Sequence, residues 1–271
     1  MIYITLKGGL GNMLFQIATG LSFAIKNNTK LGVLNLHNHI TYLNDEMSIN
    51  PTLKHSFEYL TLNIFNNINI IKDVNIKETE LYNIVNYPFE YIDIIPQNNT
   101  IIDGFFQSEK YFKEYTDIIY DNFAPTQSII DNLKEYNFFK YKTTAIHVRR
   151  GDFIKYTNIH PIQSLDYFNK AIQLLSNVTE KFIIFSDDIE WCKLNFTGDQ
   201  FIFIENEKDY NEIYLMSLCD NNIISNSSFS WWGAWINKNN EKKIIAPKKW
   251  FGPANYQYSD KDIIPENWIK L

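Results

Sequence analysis

Thr143-Thr-Ala-Ile-His-Val148, running into Arg149-Arg-Gly-Asp152, decides the fold. The six-residue run reads as a strand, and its near-continuous apolar character is that of a strand buried on both faces. Outward from it the chain alternates. A helix over roughly 127–137 precedes it. After it come an amphipathic helix over 164–177, a strand over 181–185 and a short helix over 188–195. Next are a strand over 201–204, a helix over 210–219, a strand over 222–225, a helix over 229–237 and a strand over 242–246. Repeated strand–helix alternation predicts a parallel sheet with helices on both faces, a Rossmann-like α/β unit that takes ligands at the carboxyl ends of its strands.

The N-terminal part opens the same way. Residues 2–6 alternate apolar and polar as a strand, Gly8-Gly-Leu-Gly11 turns sharply, 12–26 carry apolar positions at helical spacing, and 31–34 read as the next strand. Residues 40–125 are Asn-rich with short apolar runs at 68–71 and 101–102, and a helix is expected over 108–120. Ala124-Pro125 marks a boundary, giving domains of 1–125 and 126–271.

With 271 residues and 45% hydrophobic content, the chain can bury a full core. A net charge of −6 speaks against a nucleic-acid binder, which needs basic surface against phosphates. The 17 Tyr, 20 Phe and 6 Trp suit a large core and also the stacking of aromatic faces on sugar rings. Cys192 and Cys219 lack metal-ligand spacing and are expected as reduced, buried thiols. The chain starts at Met1 in the first strand, with no leader expected and no run long enough to cross a bilayer. The sequon at Asn195 and the Arg-Gly-Asp at 150–152 therefore carry no extracellular meaning.

Four stretches fall at strand ends. Gly8-Gly-Leu-Gly-Asn12 resembles part of a dinucleotide fingerprint. However, Leu14 stands where its third glycine belongs, and the second strand ends in Asn35 rather than a ribose-binding carboxylate, which excludes NAD. At the second stretch, His147 and Arg149 share a strand face, and Arg150 follows where the strand ends. Guanidiniums form forked, charge-assisted bonds with phosphates, so an anion is expected there, with a structural ion pair to Asp152 as the bland alternative. In Phe185-Ser-Asp-Asp188 a carboxylate could accept from guanine N–H groups, hold a metal, or cap the following helix. Finally, Asn222-Ile-Ile-Ser-Asn-Ser-Ser-Phe-Ser-Trp-Trp-Gly-Ala-Trp235 is strand, polar turn and helix, presenting hydroxyls and N–H groups at a helix N-terminus suited to phosphate. Trp231 and Trp235 share a helical face and are expected in the core.

The order HVRRGD at 147–152, FSDD at 185–188 and NSSFSWWGAW at 226–235, with GGLGN at 8–12 and Gly104–Phe112, resembles the α-1,2-fucosyltransferases of glycosyltransferase family 11 across nearly the whole chain. The resemblance implies a GT-B fold of two Rossmann-like domains facing across a cleft. The C-terminal one would hold GDP-fucose, the N-terminal one would serve the acceptor, and a last helix would pack back on the N-terminal domain. It implies inverting transfer of fucose to the 2-hydroxyl of a galactose-type sugar in bacterial surface-polysaccharide or O-antigen synthesis, with no cofactor and no metal. The acceptor would be an oligosaccharide or glycolipid, met in the cytoplasm or at the inner membrane face. Arg149 would contact the β-phosphate with Arg150 in support, and His147, Asp187 and Asp188 would lie near the guanosine. Asn226, Ser227, Ser228 and Phe229 would line the pyrophosphate and nucleoside, Gly11 would approach the donor, and Asn12 the reacting sugar. The α-1,6 relatives carry a Glu where this chain has Thr157, so the base is open: Asp152, unless it orients Arg150, or Glu109 on the acceptor side.

Overall fold

The computed structural model describes residues 1–34, 70–71, 83–87, 89–93, 96–255 and 257–271. Asn35 and most of the Asn-rich stretch lie outside them. The chain forms two compact units, Met1–Thr126 with Lys261–Ile263, and Gln127–Asp260 with Ile264–Leu271. Both are α/β with parallel sheets, as the sequence predicts.

In the first unit β1 (Ile2–Thr5), β2 (Leu31–Leu34), β3 (Ile70–Ile71), β4 (Asn83–Tyr87) and β5 (Thr100–Gly104) pair in parallel in the order β3-β2-β1-β5-β4. Helix α1 (Leu10–Lys26) follows β1, and almost its whole length is buried, from Leu10 to Ala24. The stretch expected as one helix over 108–120 instead makes two 3-10 turns, Glu109–Tyr111 and Lys113–Tyr115, before α2 (Thr116–Asn122). Tyr111 and Phe112 explain the break. Both are buried at about 1% exposure or less, and Phe112 sits at φ −140°, outside the helical region.

The second unit contains α3 (Gln127–Leu133), β6 (Thr143–Val148), α4 (Leu165–Leu175), β7 (Lys181–Ser186), α5 (Ile189–Asn195), β8 (Phe201–Phe203) and α6 (Asp209–Leu218). They are followed by β9 (Asn221–Ile223), α7 (Ser228–Trp235), β10 (Ile244–Ala246) and β11 (Ile269–Lys270). The strand order β11-β10-β9-β6-β7-β8 is the doubly wound order, with the chain leaving β6 on one side and returning at β9 on the other. All six residues of β6 are buried, as its composition requires. Ser164 caps α4 by accepting from the Tyr167 N–H (3.2 Å), and Tyr167, Phe168, Ala171 and Leu175 turn one face into the core. The Tyr167 hydroxyl crosses that core to donate to the Ile224 carbonyl (2.7 Å), tying α4 to the end of β9. In α7, Trp231, Trp232 and Trp235 pack on one another, and Trp268 packs on Trp231.

The expected last helix is not there. Among the described residues no helix longer than the 3-10 turn Pro253–Asn255 follows Trp235, and the final element is strand β11. Pro247, Pro253 and Pro265 lack the N–H that helical hydrogen bonding needs through this segment. Cys192 and Cys219 are buried free thiols, pushed up by burial to about 11 and about 12. Among the described residues no helix is long and apolar enough to cross a membrane.

Candidate functional site

Doubly wound sheets bind ligands where the strand order reverses, at the carboxyl ends of the two strands flanking the switch. In the second unit those strands are β6 and β9, and the loops leaving them are Arg149–Asp152 and Ser225–Ser228.

The two loops are joined by one hydroxyl. Ser225 Oγ donates to the His147 carbonyl (2.8 Å) and accepts from the Arg149 N–H (3.2 Å). Asn226 fixes the second loop from outside: its Nδ2 donates to the Trp250 carbonyl (3.0 Å) and its Oδ1 accepts from Gln163 Nε2 (2.9 Å). Asn226 is buried and holds the corner in place. Ser227 precedes α7 without a side-chain cap bond, so its hydroxyl is not drawn into the helix end. The first N–H groups of a helix have no partner within it, and here they belong to Ser228 and Phe229.

The arginines meet the β7 loop. Parallel pairing of Val148 with Ser186 brings Arg149 and Arg150 beside Asp187 and Asp188. Arg149 is bridged to Asp152 (2.7 Å) and Asp187 (3.1 Å), and Arg150 Nε to Asp188 (2.9 Å). The Arg150 guanidinium also lies over the Trp191 ring, 4.1 Å from its centroid, and that of Arg149 over Phe153 at 5.4 Å. Asp187 accepts from the Arg150 N–H as well (2.8 Å), and it passes so near the turn that a Cβ on Gly151 would sit 2.5 Å from its carboxylate. The side chains of Arg149 and Arg150 retain 25% and 18% exposure, so both cations remain reachable from solvent.

These contacts resolve several sequence expectations. Asp152 pairs with Arg149, not Arg150, because the 3-10 turn Asp152–Ile154 places it three residues beyond Arg149 and facing it. Arg150 is oriented by Asp188 instead. Asp188 also caps α5, accepting from the Trp191 N–H (3.3 Å). His147 is buried against Phe229 (ring centroids 5.4 Å), and among the described residues its Nδ1 has no hydrogen-bond partner. Burial, helped by the Arg149 charge, pushes it down to about 3, so it is neutral at ordinary pH. Thr157 is exposed in the loop after the arginines.

Asn12, Gly11 and Glu109 belong to the other unit. Gly8 takes φ +77° to make the turn into α1, and Gln16 closes it by bonding the Lys7 N–H (3.0 Å) and carbonyl (3.1 Å). Asn12 Oδ1 accepts from Gln107 Nε2 (2.8 Å), and Gly11 is buried in the first turn of α1. Glu109 opens a 3-10 turn; burial of Tyr120, helped by the Glu109 charge, holds the Tyr120 hydroxyl above its usual pKa.

Sequence reasoning missed Ser225, Asp187 as the partner shared by both arginine positions, and the glycine requirement at 151. Once β6 and β7 are taken as parallel neighbours, pairing Val148 with Ser186 would have indicated Asp187. No local signal marks Ser225 within a serine-rich turn.

Two α/β units with parallel sheets, the second doubly wound with an arginine pair and an open helix N-terminus at its switch point, are the parts of a GT-B-type fold. The chain matches the profile of Glycosyl transferase family 11 over residues 1–271 and belongs to that family. It is 27% identical to the O-antigen biosynthesis glycosyltransferase WbnK of Escherichia coli, covering 100% of both chains. It is 30% identical to an alpha-1,2-colitosyltransferase of Escherichia coli, covering 100% of this chain and 99% of that one. The fold is shared with the fucosyltransferase NodZ from Bradyrhizobium, at TM-score 0.52 and 15% identity over 86% of this chain and 91% of that chain.

Proposed function

We propose that the protein transfers L-fucose from GDP-β-L-fucose, with inversion, to the 2-hydroxyl of a terminal galactose-type sugar. The setting would be assembly of a bacterial surface polysaccharide, at the inner face of the cytoplasmic membrane or free in the cytoplasm. The observation carrying this reading is the convergence of reachable guanidiniums and the open N–H groups of α7 on one strand switch. A diphosphate leaving group gains negative charge as its bond to the sugar breaks, and fixed donors aimed there stabilise that charge by about 3–4 kcal/mol each. Arg149 and Arg150 take the β-phosphate, with Ser227, Ser228 and the Phe229 N–H beside them. His147 and Phe229 form the neutral wall beside the guanosine, and Asn12 serves the reacting sugar. Asp152, engaged by Arg149, suits the task of holding that guanidinium. The reaction uses no metal; the aspartates at 187 and 188 are engaged by arginines. O-antigen synthesis enters through the relative WbnK.

The similarity to the colitosyltransferase favours a second donor sugar, colitose, which GDP-colitose would supply in a test. Incubation with each donor against lactose, other β-galactosides, chitin oligosaccharides and peptides, followed by mass spectrometry and NMR of the linkage, decides between them. Fucosyl transfer to galactosides alone is expected. Transfer only from GDP-colitose replaces the donor, transfer only to peptides or chitin oligosaccharides replaces the acceptor, and GDP affinity without transfer or hydrolysis makes the chain a binding protein.

A further inference from the structure

The loop after the arginines contains a histidine that the reading above leaves without a task. His160 stacks on Phe153, with ring centroids 4.7 Å apart and planes 14° from parallel. The same Phe153 ring carries the Arg149 guanidinium at 5.4 Å. Among the described residues neither nitrogen of His160 has a hydrogen-bonding partner. Its backbone, by contrast, is well tied: its N–H donates to the Tyr156 carbonyl (2.8 Å), and the preceding Ile159 carbonyl accepts from the Gly252 N–H (2.9 Å). The ring is therefore positioned by stacking and a fixed loop, with its polar atoms left available.

We propose that His160 is the proton acceptor of the transfer reaction, taking the proton of the attacking sugar hydroxyl. This rests on the glycosyl-transfer reading. Inverting displacement sets the incoming hydroxyl and the leaving phosphate on opposite faces of the anomeric carbon. A base then has to stand apart from the phosphate-binding guanidinium within one site, and Phe153 contacts both His160 and Arg149. The hydroxyl oxygen bonds to the anomeric carbon, the carbon–oxygen bond to the β-phosphate breaks with its electron pair leaving on GDP, and the proton passes to a free imidazole nitrogen and then to solvent. The other nearby candidates fit less well: Asp152 is engaged by Arg149, and Thr157 has no basic group. Arg149 and Asp152 are the charged groups acting on His160. Partial burial, assisted by Arg149 and opposed by Asp152, lowers its pKa, so the imidazole is neutral and able to accept at neutral pH. As the imidazolium forms, Asp152 favours its charge.

The test compares wild type with His160→Ala and His160→Gln, the latter retaining bulk without a basic nitrogen. A loss of roughly a hundredfold or more in transfer rate is expected in both, the range of general-base effects. GDP affinity by calorimetry should stay within about twofold of wild type. Added imidazole should restore transfer to His160→Ala, and the acid limb of the wild-type kcat/KM profile should vanish in both variants. Transfer within threefold of wild type in either variant overturns the proposal, as does a loss explained by weaker GDP binding or an acid limb unchanged in an active variant. Failure of the transfer reading shows separately, as a wild-type protein inert toward every donor and acceptor, and it removes the His160 role with it.

Discussion

The corner after β1 and the corner after β9 are both strand–turn–helix junctions beside a strand switch, and neither helix has a side-chain cap. They differ in what they leave unused. At the first, Gln16 closes the turn, Gln107 holds Asn12, and Lys7 pairs with Asp103 on neighbouring β5 at 2.5 Å. At the second, Asn226 and Ser225 hold the turn from its sides, leaving the hydroxyl of Ser227 and the opening N–H groups of α7 on a loop that Ser225 ties to the backbone of the arginine loop. The glycine-rich corner looks more like a nucleotide site in sequence, yet its glycines mainly serve the turn. Binding capacity is better judged from the donors that a loop has not already satisfied.

That contrast can be broken at its foundation. Trp231 is fully buried at the centre of the tryptophan cluster beneath the second corner, so Trp231→Ala should lower unfolding free energy by about 3–5 kcal/mol in denaturant titration. Undiminished stability would mean the corner does not depend on that cluster. Next in size, Arg149→Ala should slow transfer roughly a hundredfold, about 3 kcal/mol of barrier, while the melting temperature changes little. Near-normal transfer would remove the second corner's claim to the phosphate.

Acid sharpens the comparison further. His147, held down to about 3 in the folded protein against 6.5 when unfolded, is neutral in the fold and must charge on unfolding at low pH. Its contribution is fully present above pH 6.5 and is lost as pH falls toward 3, at about 1.4 kcal/mol per pH unit. Urea unfolding of wild type and His147→Gln between pH 7 and 4.5 should show the shallower decline in the variant; equal slopes would place the proton uptake elsewhere. The smallest effect belongs to the first corner. Gly8→Ala forces a side chain into φ +77° and against Asn12 Nδ2, and should cost about 1–2 kcal/mol of stability by the same titration.

The second unit was legible in sequence because its strands are apolar runs and its helices keep one buried face. Each predicted strand from Thr143 to Ala246 has its counterpart within about two residues. β11 was not legible: Ile269 and Lys270 are both exposed and form only a two-residue strand. The 108–120 stretch misled because the neighbours Tyr111 and Phe112 both turn into the core, which a continuous helix there would not allow. At the site, the arginines and the serine corner stood out by residue type. Asp152 stood out as a partner as well, but the pairing with Asp187 did not, since Arg149 and Asp187 meet only through strand pairing, 38 residues apart in sequence. His160 gave no signal at all, because a single histidine between two loop residues becomes notable only once Phe153 is known to lie beneath it.

The double embrace of Arg149 by Asp152 and Asp187 bears on turnover. Under the proposed function, an arriving nucleotide would find a cation that already has counter-ions and would enter by exchange, each oxygen it lends replacing one the protein withdraws. On the same reading, those carboxylates would reclaim the guanidinium when the spent nucleotide departs. Such a site would release its product readily and give up some grip on its donor in return.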